Sequence, residues 1–134
     1  MSNSSGTNKD NILEFLAQAA NKHDFNLDIT LNVKGAVITG TMVSAKEYFS
    51  TLSDTLKDGN DIAQMLSEQL DQAGEVAQNS DDTGANFLHM KDTKVYCGDS
   101  KPTPSKGQIL WRGKLSEIDG FFLGRILDGS GKDA

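Results

Sequence analysis

An alternation of apolar and polar residues at positions 25–34 constrains the fold more than any other feature of the sequence. Its apolar members are Phe25, Leu27, Ile29, Leu31 and Val33. A period of two places one face of a strand in a core and the other in water. Lys34 and Gly35 then supply a tight turn, because glycine tolerates the positive φ that a short hairpin needs. We therefore predict a β-hairpin whose second strand is 36–43, with Gly40 marking a bulge or a sharp bend.

Helical patterns flank this hairpin on both sides. Asp10 or Asn11 is a suitable N-cap for a first helix that should end near 21–24. Ser44, with Glu47 three positions later, has the spacing of a capping box and opens a helical insertion at 44–73. Its interruption at 58–60 predicts either a kinked helix or two consecutive helices. The apolar positions at helical spacing in the insertion are Tyr48, Phe49, Leu52, Leu56, Ile62, Met65, Leu66 and Leu70.

Strand patterns return after the polar segment 74–86, which we interpret as a flexible linker. Positions 87–90 and 93–97 predict two short strands or one bulged strand, and 108–115 and 118–127 predict two more. Five short antiparallel strands bent at glycines favour an α+β fold. We expect a small SH3-like or Sm-like β-barrel, or a curved sheet, with an N-terminal helix. The alternative is a plain antiparallel sheet that helices cover on one face.

The boundaries of the folded part follow from composition. We expect a single domain at 10–127, because the small polar residues of 1–9 and 128–134 are typical of a disordered arm and a disordered tail. No apolar run approaches the roughly 20 residues of a membrane span, and the first residues lack the pattern of a secretory signal. These observations predict a soluble cytoplasmic protein.

The net charge of −6 is unevenly distributed. Positions 45–90 contain 2 Lys and 9 acidic residues, whereas 91–134 contain 8 basic and 6 acidic residues. Overall acidity opposes binding to nucleic acid or to anionic lipid, but the opposite signs of the two segments favour salt-sensitive attraction between copies. A solvated acidic helix face is the simpler interpretation. The candidate self-association residues are Asp54, Asp58, Asp61, Glu68 and Asp71 on the acidic side and Lys101 and Lys106 on the basic side.

The sequence predicts no catalytic, cofactor-binding or metal site. A nucleophile needs a base within reach, yet the two histidines lie far apart: His23 at a predicted helix end and His89 in a predicted strand. The lone Cys97 excludes an internal disulfide and has no histidine near it in sequence. The carboxylate pairs at 58/61 and 81/82 lie in solvated sequence, where nothing raises a carboxyl pKa for acid catalysis.

Positions 111–114 interleave an aromatic residue with basic ones, as in nucleic-acid-binding surfaces. Arg112 and Lys114 are therefore candidate residues of a barrel surface, and an Sm-like RNA-binding or regulatory module is the alternative function. Trp111, however, lies on the apolar parity of its strand, which indicates the core.

Three stretches of the chain are distinctive in their order and combined length: ITLNVKGAVITGTMVSAKEYF at 29–49, YCGDSKPTPSKG at 96–107 and LWRGKLSEIDGFFLG at 110–124. They closely resemble the GvpU family of gas vesicle accessory proteins of bacilli. The resemblance covers essentially 10–127 and contains no catalytic motif. It implies a small, cytoplasmic, non-enzymatic protein on or near assembled gas vesicles that promotes their clustering. The implied partners are the vesicle shell or another gas vesicle accessory protein, and further copies of the chain itself, because clustering requires a multivalent linker.

Overall fold

Five antiparallel strands and three helices make up the part of the chain that the computed structural model describes, which is 9–79, 85–98 and 101–126. The helices are α1 (Asn11–His23), α2 (Ala45–Asp54) and α3 (Asp61–Asn79). The strands are β1 (Leu27–Val33), β2 (Ala36–Val43), β3 (Phe87–Tyr96), β4 (Ile109–Lys114) and β5 (Gly120–Leu123), and a 3₁₀ turn (Leu115–Glu117) joins the last two.

The predicted hairpin is confirmed and lies at the centre of the sheet. Lys34 and Gly35 have φ angles of 52° and 90°, the left-handed pair that a two-residue hairpin turn requires. Val33 faces Ala36 across the turn, and the register continues without interruption to Leu27 opposite Met42. Strand β1 also pairs with β5, and β2 with β3, so the hairpin supplies both inner pairings on which the rest of the sheet is built.

The sheet is open, which corrects the expectation of a closed barrel. Its strand order is β4-β3-β2-β1-β5, with β4 and β5 as the two edges. Only residues 115–119 connect these edges. Four strand spacings in a flat sheet span about 19 Å, whereas a five-residue link that includes a 3₁₀ turn reaches roughly 16 Å. The short link therefore requires a curved sheet, although the edges do not pair.

One face of the sheet holds the main core. Alternate residues of the strands point to this face, and α1 packs on it through Leu13, Ala17 and Ala20. Trp111 also packs against this core, as its parity predicted. Its ring lies where a Cβ of Gly113 would stand, 2.2 Å from the nearest ring atom, so only glycine fits at that position. The remaining buried members are Ile29, Leu31, Ile38, Met42, Ala85, Leu88, Met90, Leu115 and Ile118.

The opposite face is covered by two different segments. Helix α2 lies over the end of the sheet near Val43 and His89, where Tyr48 stacks on His89 with ring centroids 4.9 Å apart. The residues after β5 cover the centre, because the Thr30 hydroxyl donates to the Gly124 carbonyl at 2.8 Å and the Ile126 N–H donates to the Thr39 hydroxyl at 2.9 Å. Helices therefore lie on both faces, whereas the plain-sheet alternative placed them on one.

The helix starts follow the predicted caps. The Asp10 carboxylate accepts from the N–H groups of Ile12 and Leu13, and the Ser44 hydroxyl accepts from the Glu47 N–H at 3.0 Å. The Glu47 carboxylate turns to Lys91 Nζ at 2.9 Å and ties α2 to β3.

Several boundaries differ from the sequence prediction. The insertion 44–73 forms two helices, which is one of the two predicted alternatives, but α3 continues past Gly74 to Asn79. A Cβ on Gly74 would lie 3.4 Å from Lys46 and Phe49, so α3 packs against α2 at this glycine. The expected linker 74–86 is thus helical in its first part, and 80–84 lie outside the described residues. The last strand, β5, occupies only 120–123 of the predicted 118–127, and the strand before it ends at Lys114 because the buried Leu115 begins a 3₁₀ turn. Of the expected arm at 1–9, only Lys9 is among the described residues, and its Nζ donates to the Glu14 carboxylate and to the Ala85 carbonyl, both at 3.0 Å. The expected tail at 128–134 lies outside the described residues.

Strand β3 is one strand with a bulge, which decides between the two alternatives for 87–97. The register with β2 shifts between Thr39 and Thr41, at the glycine that was predicted to mark a bulge. A Cβ on Gly40 would lie 2.9 Å from the Lys91 carbonyl oxygen and 2.9 Å from Thr93 Oγ1. The bulge therefore brings two backbones closer than any side chain allows.

We expect Gly40→Ala to lower the free energy of unfolding by about 1 to 3 kcal/mol, because a rigid backbone oxygen must move to admit the methyl group. Gly120→Ala is the matched control: its Cβ meets no atom within 4 Å, so its effect should stay within about 0.5 kcal/mol. Urea denaturation of both variants measures the difference. Equal stabilities of the two variants would contradict the close approach at Gly40.

Candidate functional site

Helices α2 and α3 form a hairpin that is joined through small side chains. The Ser53 hydroxyl donates to the Ser67 carbonyl at 2.9 Å, and the two hydroxyl groups are hydrogen-bonded to each other. Both serines are buried, and Gly74 meets the backbone of α2. Small residues let two helix backbones approach closely, so this contact leaves out most of the large apolar side chains of α3, all but the half-buried Leu70.

Those large side chains face solvent instead. Ile62 is 62% exposed, Met65 58%, Leu66 50% and Val76 70%. The sequence predicted an apolar helical stripe at 62, 65, 66 and 70, and the helix is present, but only Leu70 is half-buried. Scattered exposed apolar residues are normal, whereas a contiguous apolar stripe marks an interaction surface.

The five candidate carboxylates all lie in or beside the helical hairpin, on its exposed surface. Asp54 is in α2 and pairs with Lys57 Nζ at 3.0 Å, and this hydrogen bond raises the Lys57 pKa. Asp58 lies in the connecting turn, and Asp61, Glu68 and Asp71 lie on α3. The structure therefore brings the predicted acidic residues together on one substructure.

The two candidate lysines lie at the other end of β3. Lys101 and Lys106 are exposed members of the loop before β4. Thr103 anchors this loop, since its N–H donates to the Val95 carbonyl at 2.7 Å and its carbonyl accepts from the Val95 N–H at 2.8 Å. Helix α2 contacts β3 at His89 and at Lys91, six and four residues before Val95. Four to six residues of strand span about 13 to 20 Å, so the loop and the attachment points of the helical hairpin are separated.

Arg112 is held in an aromatic cluster on the face of the sheet that α2 covers. Its guanidinium carbon lies 3.9 Å from the centre of the Phe87 ring, and its Nε donates to His89 Nε2 at 3.2 Å. The His89 ring also contacts Phe49, with centroids 5.6 Å apart. Burial, with a smaller contribution from the charge of Arg112, lowers the His89 pKa to about 4, so this histidine is neutral at physiological pH.

The aromatic and basic residues at 111–114 do not share a surface. Strand alternation places Arg112 and Lys114 on the face opposite Trp111. Lys114 is exposed and lines an open depression of about 140 Å³ with Lys9, Asn86, Phe87 and Ser116. The arrangement therefore lacks the interleaved aromatic and basic surface on which the RNA-binding alternative depended.

The candidate catalytic residues lie on separate elements. His23 ends α1, His89 is buried under α2, and Cys97 is exposed after β3. Within the described ranges, no three His, Cys, Asp or Glu side chains are grouped so that they could hold a metal ion. None of the helices in that part of the chain is long and apolar enough to cross a bilayer.

The family model for GvpU-like gas vesicle proteins matches residues 10–126. The chain belongs to the GvpU-like family of gas vesicle proteins. This match confirms the resemblance given by the three sequence stretches and makes the chain a gas vesicle protein with a structural or accessory role. No curated protein and no solved structure matches the chain significantly.

Sequence reasoning missed the exposed apolar stripe of α3, because an apolar helical pattern ordinarily indicates a core-facing helix. A signal was present in the sequence, because positions 53, 63, 67 and 74 carry small residues, which predict close packing of two helices. Where small residues bring two helices close together, the large apolar residues beside them do not fit between the helices and lie outside the helix–helix contact.

The lowered pKa of His89 predicts acid sensitivity of this helix-to-sheet contact. His89 is neutral in the fold, and a histidine in the unfolded chain has a pKa near 6.5. The contribution of this contact to the free energy of unfolding is therefore complete above pH 6.5. This stability is lost as the pH falls from 6.5 towards 4, by on the order of 2 to 3 kcal/mol. Urea denaturation across this range should show a shallower pH dependence for His89→Gln, whereas His23→Gln leaves the site intact and should follow the wild type. Parallel curves for His89→Gln and wild type would refute the buried neutral histidine.

Proposed function

We propose that this family member associates with assembled gas vesicles and promotes their clustering through weak, multivalent contacts between its own copies. Family membership over 10–126 is the observation that carries this proposal. A linker of this kind needs one surface for the vesicle shell, or for another accessory protein on it, and a separate surface for a second copy.

Charge provides one contact between copies. The acidic surface of the helical hairpin carries the five candidate carboxylates, and the loop before β4 carries Lys101 and Lys106. The two groups attach to β3 about 13 to 20 Å apart, roughly two Debye lengths at physiological salt. Attraction within one molecule is therefore weak, and the charges are placed to act between molecules.

Such a contact is head-to-tail. The acidic surface of one copy meets the lysine loop of the next, which leaves an acidic surface and a loop free at the two ends. Heterologous contacts that do not close into a ring propagate into open assemblies. This property suits a protein that must link many vesicles.

The proposal predicts direct binding to vesicles. Purified protein should co-sediment with, or float with, purified gas vesicles, and should increase the light scattering of a vesicle suspension in a concentration-dependent way. RNA serves as the comparison ligand: a mobility shift of RNA that weakens with salt, together with absent vesicle binding, would favour the alternative RNA-binding module.

Neutralising the acidic surface tests the charge contact. The variant with Asp54, Asp58, Asp61, Glu68 and Asp71 changed to amides should lose the part of self-association that disappears between low and several hundred millimolar salt. Lys101→Gln with Lys106→Gln should have the same effect from the other side. Wild-type salt dependence of light scattering in both variants would show that the charges form only a solvated surface.

A further inference from the structure

Helix α3 has three distinct faces. Ala73 is half-buried, and the rest of the buried or half-buried side is formed at 63, 67, 70 and 74. The residue after each of these is polar or acidic: Gln64, Glu68, Asp71 and Glu75. The residue before each is uncharged and mostly apolar: Ile62, Leu66, Gln69 and Ala73. One residue is a rotation of about 100°, so the acidic and apolar faces lie on opposite flanks of the buried side.

The apolar face has the spacing of a helix-pairing surface. Ile62, Leu66, Gln69, Ala73 and Val76 are separated by 4, 3, 4 and 3 residues, the heptad pattern through which two helices interlock their side chains. We call these five residues, with Met65, the α3 seam. The seam contains no charged residue, and the acidic residues of α3 lie away from it.

The seam is complementary to itself when two copies run antiparallel. It is centred on Gln69, with Ile62 seven residues before and Val76 seven residues after. A two-fold axis through Gln69 places Ile62 opposite Val76 of the other copy and the large Met65 opposite the small Ala73, while Leu66 lies opposite Gln72. A two-fold interface requires this reciprocity, in which one residue meets a second and the second meets the first.

Gln69 fits the position on the axis. A side-chain amide has both donors and an acceptor, so two copies of the same amide can hydrogen-bond to each other. A single polar residue within an apolar helix seam fixes register at some cost in stability. The antiparallel arrangement also brings the positive end of each helix dipole beside the negative end of the other.

We propose that the α3 seam is the face on which a second copy of this chain docks, as an antiparallel two-fold pair. This inference rests on the proposed function, because it identifies an apolar contact that joins copies in addition to the charge contact. The exposed apolar area of the seam is on the order of 400 Å² per copy, so the pair buries less than the roughly 1,200 Å² of a stable interface. The pair is therefore weak in dilute solution and forms where copies are concentrated.

Two isoleucines with the same exposure provide the first test. Ile62 and Ile12 are each 62% exposed, the first in the seam and the second on α1. Ile62→Asn should raise the dissociation constant of the full-chain dimer by about 100-fold. Each dimer loses two isoleucine side chains, and the loss of each raises the dissociation constant roughly tenfold. Ile12→Asn should leave it unchanged. Sedimentation equilibrium at high salt, which suppresses the charge contact, measures both. Equal dimerisation of the two variants would overturn the proposal.

Cross-linking tests the register. In a Cys97→Ser background, Gln69→Cys should form a disulfide-linked dimer, because the axis brings this position against itself within disulfide range. Gln64→Cys, on the same helix beside the acidic face, should not. A mixture of Ile62→Cys and Val76→Cys copies should cross-link to each other more than Ile62→Cys copies cross-link among themselves. The reverse preference, or equal cross-linking at 64 and 69, would overturn the antiparallel seam.

These measurements are independent of vesicles. Loss of the dimer in Ile62→Asn with unchanged vesicle binding would support the seam and leave the vesicle surface elsewhere. A normal seam dimer in a protein that does not bind vesicles would refute the proposed function and retain the seam.

Discussion

The alternation of the β1–β2 hairpin determines where every helix of this protein can pack. It directs Ile29, Leu31 and Ile38 to one face of the sheet, where α1 covers them. The other face carries threonines at its centre, which the residues after β5 cover, and so only the end near Val43 remains for α2. Helix α3 finds no apolar sheet surface and is held by α2. Since that contact uses serines and glycine, most of the large apolar residues of α3, namely Ile62, Met65, Leu66 and Val76, are left outside.

This arrangement explains which parts of the fold could be read from the sequence. The hairpin, its turn and the caps at Asp10 and Ser44 depend on local chemistry, and all were predicted at the right residues. The choice between a closed barrel and an open sheet stayed undecided, because closure depends on whether the β4 and β5 edges meet, and no local pattern encodes that distance. The end of α3 was misjudged because Gly74 reads as a helix breaker locally, while in the fold it serves close packing.

The candidate site likewise has a part that the sequence predicted and a part that it did not. Charge segregation is a property of composition, so the acidic residues at 54–71 were found from the sequence alone, and the structure gathers them on one helical hairpin. Arg112 could not be assigned, because its partners Phe87 and His89 come from another strand. The exposure of Leu66 could not be assigned either, because a stripe that faces a core and a stripe that faces solvent have the same period.

The two proposed contacts between copies complement each other. The charge contact is long-ranged, weakened by salt and able to propagate, whereas the α3 seam is short-ranged, insensitive to salt and closed by a two-fold axis. Neither is strong alone, but both act at once where copies are held at high local concentration. A vesicle surface provides such a concentration.

The measurement that tests this account most directly is the size of vesicle clusters, by dynamic light scattering, as protein is added well beyond saturation of the vesicles. If bound copies join to bound copies, clusters should grow and then persist at saturating protein. If instead one copy bridges two vesicles directly, excess protein should occupy every site singly and disperse the clusters. Dispersal at excess would contradict self-association as the link between vesicles.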